Sequence, residues 1–276
     1  MLNLEPDIIR DDELEVLLAD ISTLYGYDFT QYSKASLKRR LNRICLIDKF
    51  TSFAELRYNL INHPEYLQRF IEEITVNVTE MFRDPHFYKA LREHIFPQLG
   101  TYPFIRIWLA GCSTGEEAYS VAILLKEANL YNKSLIYATD INPGVLEKAR
   151  KGIFPIKQMK QYSENYILSG GKNDFSSYYT ANYDVVKFNA DLKEKIIFST
   201  HNLVSDSSFN EFQLIVCRNV LIYFEKELQN KVFSLFDDSL DTLGFLALGA
   251  KETIRFSSLA NRYKQVEGEK IWRKNK

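Results

Sequence analysis

The sequence predicts an α/β protein in which a Rossmann-like, mostly parallel sheet follows a small all-helical unit. In residues 1 to 75, apolar residues recur only at helical spacing. From residue 104 onward, short β-branched runs alternate with amphipathic helical runs, a pattern typical of a parallel sheet flanked by helices. A glycine-containing turn, within the stretch WLAGCSTGEEAYS, joins the first of these strands to a helix, as in nucleotide-binding folds.

The composition is that of a globular protein from a reducing compartment. The chain has 276 residues, 46% of them hydrophobic, and no apolar run long enough to cross a bilayer. The first residues are acidic and do not resemble a signal peptide, and the three cysteines are scattered. We therefore expect a soluble, cytoplasmic protein without disulfides, metal or membrane insertion. The formal net charge of −1 argues against nucleic acid as a partner.

The helical N-terminal unit, residues 1 to 75, contains one strongly basic helix. Leu37, Leu41 and Ile44 recur at helical spacing within residues 34 to 49, which predicts an amphipathic helix with a basic outer face. The cations of that face include Lys38, Arg39, Arg40 and Arg43. Two interpretations are open: a solvated helix surface, or a docking surface for an acidic partner.

The α/β part, residues 76 to 276, begins with a helix that Asp84 can cap and in which Pro85 can take the first position. The tail RYKQVEGEKIWRK predicts an antiparallel hairpin around Glu267 and Gly268 at the sheet edge. Between them, the predicted order is strand 104–110, helix 115–128, strand 134–139, helix 143–151, strand 195–200, strand 212–217, helix 225–242 and strand 244–250.

Residues 152 to 194 interrupt this alternation. A plain α/β unit would place a single helix there, but the stretch SSYYTANYDVVKF is rich in tyrosine and β-branched residues. We therefore expect an inserted small antiparallel β subdomain, accompanied by a helix at 157–168.

The turn after the first strand is followed by negative charges, which is unusual for a nucleotide-binding turn. Gly111 and Gly115 allow a tight turn before a helix, which is where a dinucleotide's pyrophosphate normally sits. Two acids, Glu116 and Glu117, occupy that place instead. Two unit charges 4 Å apart interact by roughly 4 kcal/mol at an effective dielectric constant near 20, so these acids would repel a pyrophosphate. They suit S-adenosyl-L-methionine, which carries a sulfonium and an ammonium group.

Polar residues at the ends of the other strands complete a candidate ligand site. Asp140 follows the glycine turn at about the distance expected of an acid that binds ribose, although Asp140 or Asn142 could instead cap the next helix. The ends of the later strands carry Asn202, Arg218 and Asn219. Tyr223 follows Asn219 by four residues, so one helical turn could direct both into one cleft, or Tyr223 could pack with the core.

The motifs TVNVTEMFRDPHFYKAL, WLAGCSTGEEAYSVAILL, ATDINPGVLEKARKGIF, HNL and IVCRNVLIYFEKELQNKVF resemble, in order and spacing, the CheR family of protein-glutamate O-methyltransferases. The resemblance extends over nearly the whole chain from about residue 10. It implies a Rossmann-like class I methyltransferase sheet with an all-helical N-terminal domain and an inserted small antiparallel β subdomain.

The family resemblance also implies a reaction and a set of site residues. The reaction is methyl transfer from S-adenosyl-L-methionine to glutamates on the cytoplasmic helical domain of a chemoreceptor, which leaves S-adenosyl-L-homocysteine. Arg83 and Tyr223 are expected nearest the transferred methyl, the basic helix is expected to dock the receptor, and we expect a monomer. The implied cofactor-binding residues are Asn77, Thr79, Arg83, Gly111, Glu117, Asp140, Asn202, Leu203, Arg218 and Asn219.

Two departures from the family pattern and one alternative function accompany this interpretation. Met81 stands before Phe82 where many members have a second phenylalanine, an apolar change that the core should tolerate. The stretch GAKETIRFSS replaces a common His-Ser-Glu run, which bears on partner choice. The alternative is a non-catalytic S-adenosylmethionine-binding sensor. The two acids disfavour a nicotinamide-dependent oxidoreductase, and CRNV in place of an Asn-Pro-Pro-aromatic motif disfavours an N-methyltransferase.

Overall fold

The computed structural model describes residues 9–75, 77–266 and 269–275. The chain divides into two compact units. One comprises Met1–Val76 together with Tyr223–Lys231, and the other comprises Asn77–Ile222 together with Val232–Lys276. Among the helices of the described ranges, none is both long and apolar enough to span a lipid bilayer.

The first unit is built on four helices. Each buries an apolar stripe at helical spacing, as the sequence predicted; in α2 the stripe is Leu37, Leu41 and Ile44. Ser52 caps α3 by accepting a hydrogen bond from the Glu55 amide at 3.3 Å. The four helices are α1 (Asp11–Tyr25), α2 (Lys34–Ile47), α3 (Phe53–Asn62) and α4 (Tyr66–Ile74).

The segment Tyr223–Lys231 packs within this helical unit, although it is distant in sequence. The amide of Ser33 donates to the Tyr223 carbonyl oxygen at 2.8 Å, and the ring of Phe224 packs edge-on against Tyr32 at 4.8 Å. The amide of Glu225 donates to the Gln31 carbonyl oxygen at 2.9 Å. The sequence patterns gave no sign of this pairing, because each hydrogen bond joins positions far apart in the chain.

The second unit contains the predicted α/β sheet. Its elements, in chain order, are α5 (Pro85–Ala90), α6 (Phe96–Leu99), β1 (Ile105–Ala110), α7 (Glu116–Glu127), β2 (Ser134–Asp140), α8 (Pro143–Lys151), β3 (Ile153–Pro155), α9 (Met159–Leu168), β4 (Tyr179–Asn182), β5 (Val185–Phe188), β6 (Ile196–Thr200), β7 (Phe212–Cys217), α10 (Lys226–Ser239), which begins in the first unit, β8 (Leu240–Leu248), β9 (Tyr263–Gln265) and β10 (Ile271–Lys274).

The sheet has the strand order β6-β2-β1-β7-β8-β10-β9. The pairs from β6 to β8 are parallel, and β10 and β9 are antiparallel at the edge, so the predicted fold class is confirmed. The chain runs outward from β1 through β2 to β6 and then returns to β7 on the other side of β1. The gap between the ends of β1 and β7 is therefore the topological switch point, where ligands of such sheets bind.

Strand β8 differs most from its predicted bounds. It begins at Leu240 rather than 244, and helix α10 ends at Ser239 rather than 242. Its register with β7 shifts between Phe212 and Leu214, where Leu243 takes a left-handed φ of 65°. The strand therefore continues through a bulge past Gly244, the residue at which the sequence predicts it to begin.

The inserted β subdomain is present as a three-stranded antiparallel sheet of order β3-β5-β4, accompanied by α9 close to the predicted helix at 157–168. The C-terminal hairpin is also present as β9 and β10. Its predicted tip, Glu267 and Gly268, lies outside the described residues.

Candidate functional site

The turn that follows β1, residues 111–115, is tightly constrained. Gly111 and Gly115 have φ of 83° and 94°, and a Cβ at Gly111 would collide with the side chain of Val220. Ser113 also adopts a left-handed φ of 50°. Only glycine takes such conformations at little cost, and the absence of a Cβ at Gly111 lets the loops after β1 and β7 approach each other at the switch point.

The two acids that follow this turn, at the start of α7, have different environments. Glu116 is buried, with its carboxylate accepting a hydrogen bond from the Thr114 hydroxyl at 2.6 Å and facing the Tyr162 hydroxyl at 3.5 Å. Burial raises the pKa of Glu116 to about 7, against the opposing effect of these hydrogen bonds. The sequence predicts two negative charges here, but burial removes part of the first. Of the two acids, Glu117 is the less buried one.

Glu117 is paired with the buried guanidinium of Arg218, at the end of β7. Nη1 of Arg218 lies 3.1 Å from the Glu117 carboxylate, while Nη2 donates to the Asp84 carboxylate at 2.6 Å and to the Arg83 carbonyl oxygen at 3.0 Å. The guanidinium also stacks over the Phe87 ring at 4.2 Å. Burial by itself lowers the pKa of Arg218, but the nearby acids outweigh it and raise the pKa overall. Arg218 thus stays charged and joins the β1 turn to the loop that carries Arg83.

That loop, residues 81–84, is fixed from several sides and will be called the Arg83 loop. The amide of Phe82 donates to the Ser120 hydroxyl at 3.0 Å, and the Asn165 side chain donates to the Met81 carbonyl oxygen at 3.0 Å. Phe82 and Asp84, on either side of Arg83, both have left-handed φ, 53° and 58°. Two such residues in a row of four are costly and persist because their surroundings hold them.

One expectation for this loop, the cap by Asp84, is wrong. The Asp84 side chain makes no capping hydrogen bond to α5, because its carboxylate is engaged by Arg218. Pro85 does occupy the first turn of the helix, as predicted. Within the described ranges the Arg83 side chain forms no ion pair and donates to the Val78 carbonyl oxygen at 3.3 Å.

Asp140, at the end of β2, is tied to the β1 turn. Its carboxylate accepts hydrogen bonds from the Ser113 amide at 2.8 Å and the Asn142 amide at 3.0 Å. Burial raises its pKa, although these backbone bonds oppose the shift. The helix cap is Asn142, whose side chain accepts from the Gly144 amide at 2.8 Å. Of the two capping candidates, the structure thus selects Asn142.

The remaining predicted residues of this unit occupy loops. Asn202 and Leu203 are buried just beyond β6, where the Asn202 side chain accepts from the Val204 amide at 3.0 Å. Asn77 and Thr79 are partly buried before the Arg83 loop. Asn219 has a left-handed φ of 61°, so the expected helical turn from Asn219 to Tyr223 does not form. Tyr223 is grouped with the helical unit instead.

Glu252, which the sequence analysis missed, organises the loop after β7. Its buried carboxylate accepts hydrogen bonds from the amides of Asn219 and Val220, both at 2.9 Å, and of Gly249 at 2.6 Å. Burial raises its pKa, and these amides lower it. The only signal in the sequence was an acid within GAKETIRFSS, directly after an apolar strand.

The basic helix α2 exposes fewer cations than its sequence suggested. Lys38 is paired with Asp11 at 2.6 Å, and Arg43 lies 3.6 Å from Glu73. Arg39 is exposed and has no partner within the described parts of the chain.

Arg40 departs from the expected outer face. It is partly buried, with Nη1 donating to the Ile74 carbonyl oxygen at 2.9 Å and its guanidinium 4.9 Å from the centre of the Tyr223 ring. Burial lowers the pKa of Arg40, and Tyr223 opposes that shift. The side chain turns inward because an open carbonyl at the end of α4 and an aromatic face lie within its reach.

The switch point offers unused polar groups to a ligand. The hydroxyl of Ser113 and Nε of Arg218 are buried without a hydrogen-bond partner in the described structure. Buried polar atoms are nearly always paired, so these groups suit a ligand with polar atoms of its own. Together with Glu117 they fit a ligand that carries both an ammonium and a carboxylate group, as S-adenosylmethionine does.

Comparison with known proteins shows which family this chain matches. Residues 77–271 match the model of the CheR methyltransferase SAM binding domain, and residues 12–75 match that of the CheR methyltransferase all-alpha domain. Cher3 of Pseudomonas putida, which is named as a methyltransferase, is 45% identical over 96% of this chain and 97% of its own length.

Two further relatives are named chemotaxis protein methyltransferase. The protein of Listeria innocua is 32% identical over 83% of this chain and 85% of its own length. The protein of Salmonella typhimurium is 33% identical over 86% of this chain and 79% of its own length. The matched domains cover the helical unit and the α/β unit alike. The chain therefore belongs to the CheR family of methyltransferases, with S-adenosylmethionine as its cofactor.

Proposed function

We propose that this protein transfers the methyl group of S-adenosylmethionine to glutamate side chains on the cytoplasmic helical domain of a chemoreceptor, forming methyl esters. The observation that carries the proposal is the link between the Glu117–Arg218 pair and the Arg83 loop. Glu117 is an acid suited to the ammonium group of the methyl donor. The guanidinium of Arg83 is paired with no carboxylate in the described ranges.

The chemistry requires little acid–base assistance. S-adenosylmethionine supplies an electrophilic methyl group on a sulfonium. The acceptor glutamate has a reference pKa of about 4.3, so it is already ionised at neutral pH and needs no general base. The chain's own task is to align the acceptor oxygen with the methyl–sulfur bond and to exclude water, for which effective molarities of about 10⁵ M are possible.

Each proposed cofactor-binding residue is assigned to one part of S-adenosylmethionine or to the wall of its site. We assign Glu117 and the Ser113 hydroxyl to the methionyl end and Asp140 to the ribose. Both Asp140 oxygens already accept one backbone hydrogen bond, but each carboxylate oxygen can accept a second. Asn202 and Leu203 are assigned to the adenine. The wall of the site is assigned to Asn77, Thr79, Gly111, Arg218 and Asn219.

Arg83 and Tyr223 are the proposed catalytic residues. Arg83 would orient the incoming carboxylate by its fixed, planar set of donors, which matches a carboxylate better than an ammonium does. The Arg83 loop is held by Ser120, Asn165 and Arg218, so this orientation would be set before the substrate arrives. Tyr223 would contact the acceptor oxygen or the methyl group.

Receptor docking is assigned to the helical N-terminal domain, residues 1–75, and methyl transfer to residues 76–276. The exposed guanidiniums of Arg39 and Arg43 on α2 would face the acidic helical surface of the receptor. We expect the protein to act in the cytoplasm, where that part of a receptor lies, and as a monomer.

The test is incubation with labelled S-adenosylmethionine and receptor-containing membranes, followed by base treatment. Carboxyl methyl esters release labelled methanol in base, so we expect base-labile label on the receptor band. The Arg83→Ala variant is the matched control and should label the receptor far more slowly. Label that survives base would indicate N-methylation and would contradict the proposal.

The alternative of a non-catalytic S-adenosylmethionine sensor is less well supported. Such a module would have no need for a fixed loop that presents Arg83 without a carboxylate partner. Single-turnover assays at enzyme concentrations above that of the receptor separate the two functions. A sensor would bind the cofactor and transfer no methyl group, whereas an enzyme would label receptor glutamates in a single turnover.

A further inference from the structure

Arg40 of α2 contacts Tyr223 rather than solvent. Its guanidinium lies 4.9 Å from the centre of the Tyr223 ring, within the range of a cation–π contact. Both residues belong to the same compact unit, which contains Met1–Val76 and Tyr223–Lys231.

The guanidinium is held in place by other groups of that unit. Nη1 donates to the carbonyl oxygen of Ile74, the last residue of α4, at 2.9 Å. Carbonyl groups at the end of a helix lack an internal partner and carry partial negative charge, so a cation there is favoured. Nε lies 3.4 Å from the Ser36 hydroxyl, one turn earlier on α2. The guanidinium of Arg40 is thus held in place by contacts other than the one with the Tyr223 ring.

The backbone of Tyr223 is anchored independently of Arg40. The Ser33 amide donates to the Tyr223 carbonyl oxygen at 2.8 Å, and the next residue, Phe224, packs on Tyr32. Loss of the Arg40 side chain should therefore leave the segment in place and release only the tyrosine ring.

The neighbouring cations of α2 have other partners or none. Lys38 pairs with Asp11 and Arg43 with Glu73, whereas Arg39 is exposed without a partner in the described ranges. Arg39 and Arg40 are adjacent in sequence and carry the same charge, yet only Arg40 meets the ring. The helix therefore separates an outward set of cations from one inward-facing arginine.

We propose that Arg40 is a positioning residue that holds the Tyr223 ring for methyl transfer, and that it does not form part of the docking surface. The inference rests on the proposed function, which places Tyr223 at the reacting groups. It removes Arg40 from the set of receptor-docking cations and leaves Arg39 and Arg43 as its exposed members.

The matched variants are Arg40→Met and Arg39→Met, which remove the same charge from adjacent positions. For Arg40→Met we expect kcat for receptor methylation to fall about tenfold, the scale of a partly desolvated cation–π contact, with KM for the receptor little changed. Arg39→Met should instead raise KM. Arg40→Lys keeps the charge but loses the planar group, so it should recover only part of kcat.

A double-mutant cycle tests whether Arg40 acts through Tyr223. In a Tyr223→Phe background, Arg40→Met should lower kcat less than it does in the wild type, because the ring it positions has already lost its hydroxyl. Equal effects in both backgrounds, or a rise in KM like that of Arg39→Met, would overturn the proposal.

A readout independent of activity separates this inference from the proposed function. Fluorotyrosine placed at position 223 should change its ¹⁹F chemical shift in Arg40→Met and keep it in Arg39→Met. A wild-type protein that transfers no methyl group would overturn the proposed function, while the fluorine shift would still decide whether Arg40 holds the ring. An unchanged shift in Arg40→Met would refute the positioning contact itself.

Discussion

The guanidinium of Arg218 lies 3.1 Å from the carboxylate of Glu117, and both side chains are largely removed from water. The same guanidinium contacts Asp84 and the Arg83 carbonyl oxygen on its other side. One buried cation thus connects the acid proposed for the cofactor with the loop proposed for the acceptor. The strength and specificity of this connection can be tested by substitution.

Arg218→Met should destabilise the second unit by about 3 kcal/mol or more, because it leaves Glu117 buried without its counter-charge. The free energy of unfolding is measured by urea denaturation, and affinity for S-adenosylhomocysteine by calorimetry; both should fall. Arg150→Met is the control, since Arg150 is an exposed residue paired with exposed Glu147 and should cost about 1 kcal/mol or less. Equal losses in the two variants would contradict the importance of the buried pair.

Arg83→Ala should lower kcat/KM for receptor methylation by about a hundredfold or more, because the acceptor carboxylate loses its orienting donor. Calorimetry should find the binding of S-adenosylhomocysteine nearly unchanged. Arg83→Lys keeps the charge without the planar donor pair, so its activity should lie between that of the wild type and that of Arg83→Ala. If binding is lost together with turnover, Arg83 belongs to the cofactor and not to the acceptor.

Glu116→Gln should stabilise the protein increasingly as the pH rises. The native pKa of Glu116 is about 7, above the reference value of 4.5, so the native state favours the neutral acid. Its contribution is complete below about pH 4.5 and is lost as the pH rises through about 7. Glutamine is neutral throughout, so the stability difference between variant and wild type should grow between pH 5 and 8, to about 3 kcal/mol at most.

The measurement for Glu116 is urea denaturation of both proteins at several pH values in that window. Glu147→Gln serves as the control because it makes the same substitution at an exposed position. A stability difference for Glu116→Gln that does not change with pH would contradict the raised pKa of Glu116.

Arg39→Glu combined with Arg43→Glu should raise KM for the receptor and leave affinity for S-adenosylhomocysteine unchanged, because both side chains are exposed on α2. The difference in KM between this variant and the wild type should become smaller in high salt, because salt screens exposed charges. Lys148→Glu with Lys151→Glu makes the same change in charge on exposed residues of α8. If this control raises KM equally, the effect reflects net charge and not a docking surface on α2.

Most of the α/β framework could be predicted from the sequence because its signals are local. The bounds of β1, β2 and β7 agree with the predicted ones to within one residue, since each is a short, largely buried run that ends at polar or glycine residues. The turn at Gly111 and Gly115 and the cap before α8 also follow from residue types at fixed positions.

The interactions that were missed join residues far apart in the chain. Asp84 was expected to cap α5, but Arg218 competes for its carboxylate. Arg40 was placed on the outer face of α2, and the partner that draws it inward, Tyr223, lies in another part of the sequence. Helical periodicity predicts which face of a helix is apolar. It does not predict whether a cation beside that face contacts a backbone carbonyl group or an aromatic ring from another part of the chain. Such pairings arise only when the tertiary fold forms.

The carboxylate of Glu252 has a consequence for how far the chain can be shortened. It is the acceptor for the backbone amides of Asn219, Val220 and Gly249. A chain that stopped just after β8 would keep every parallel strand and yet leave the amides of residues 219 and 220 without this acceptor. The residues just after β8 are therefore a structural requirement for the end of β7.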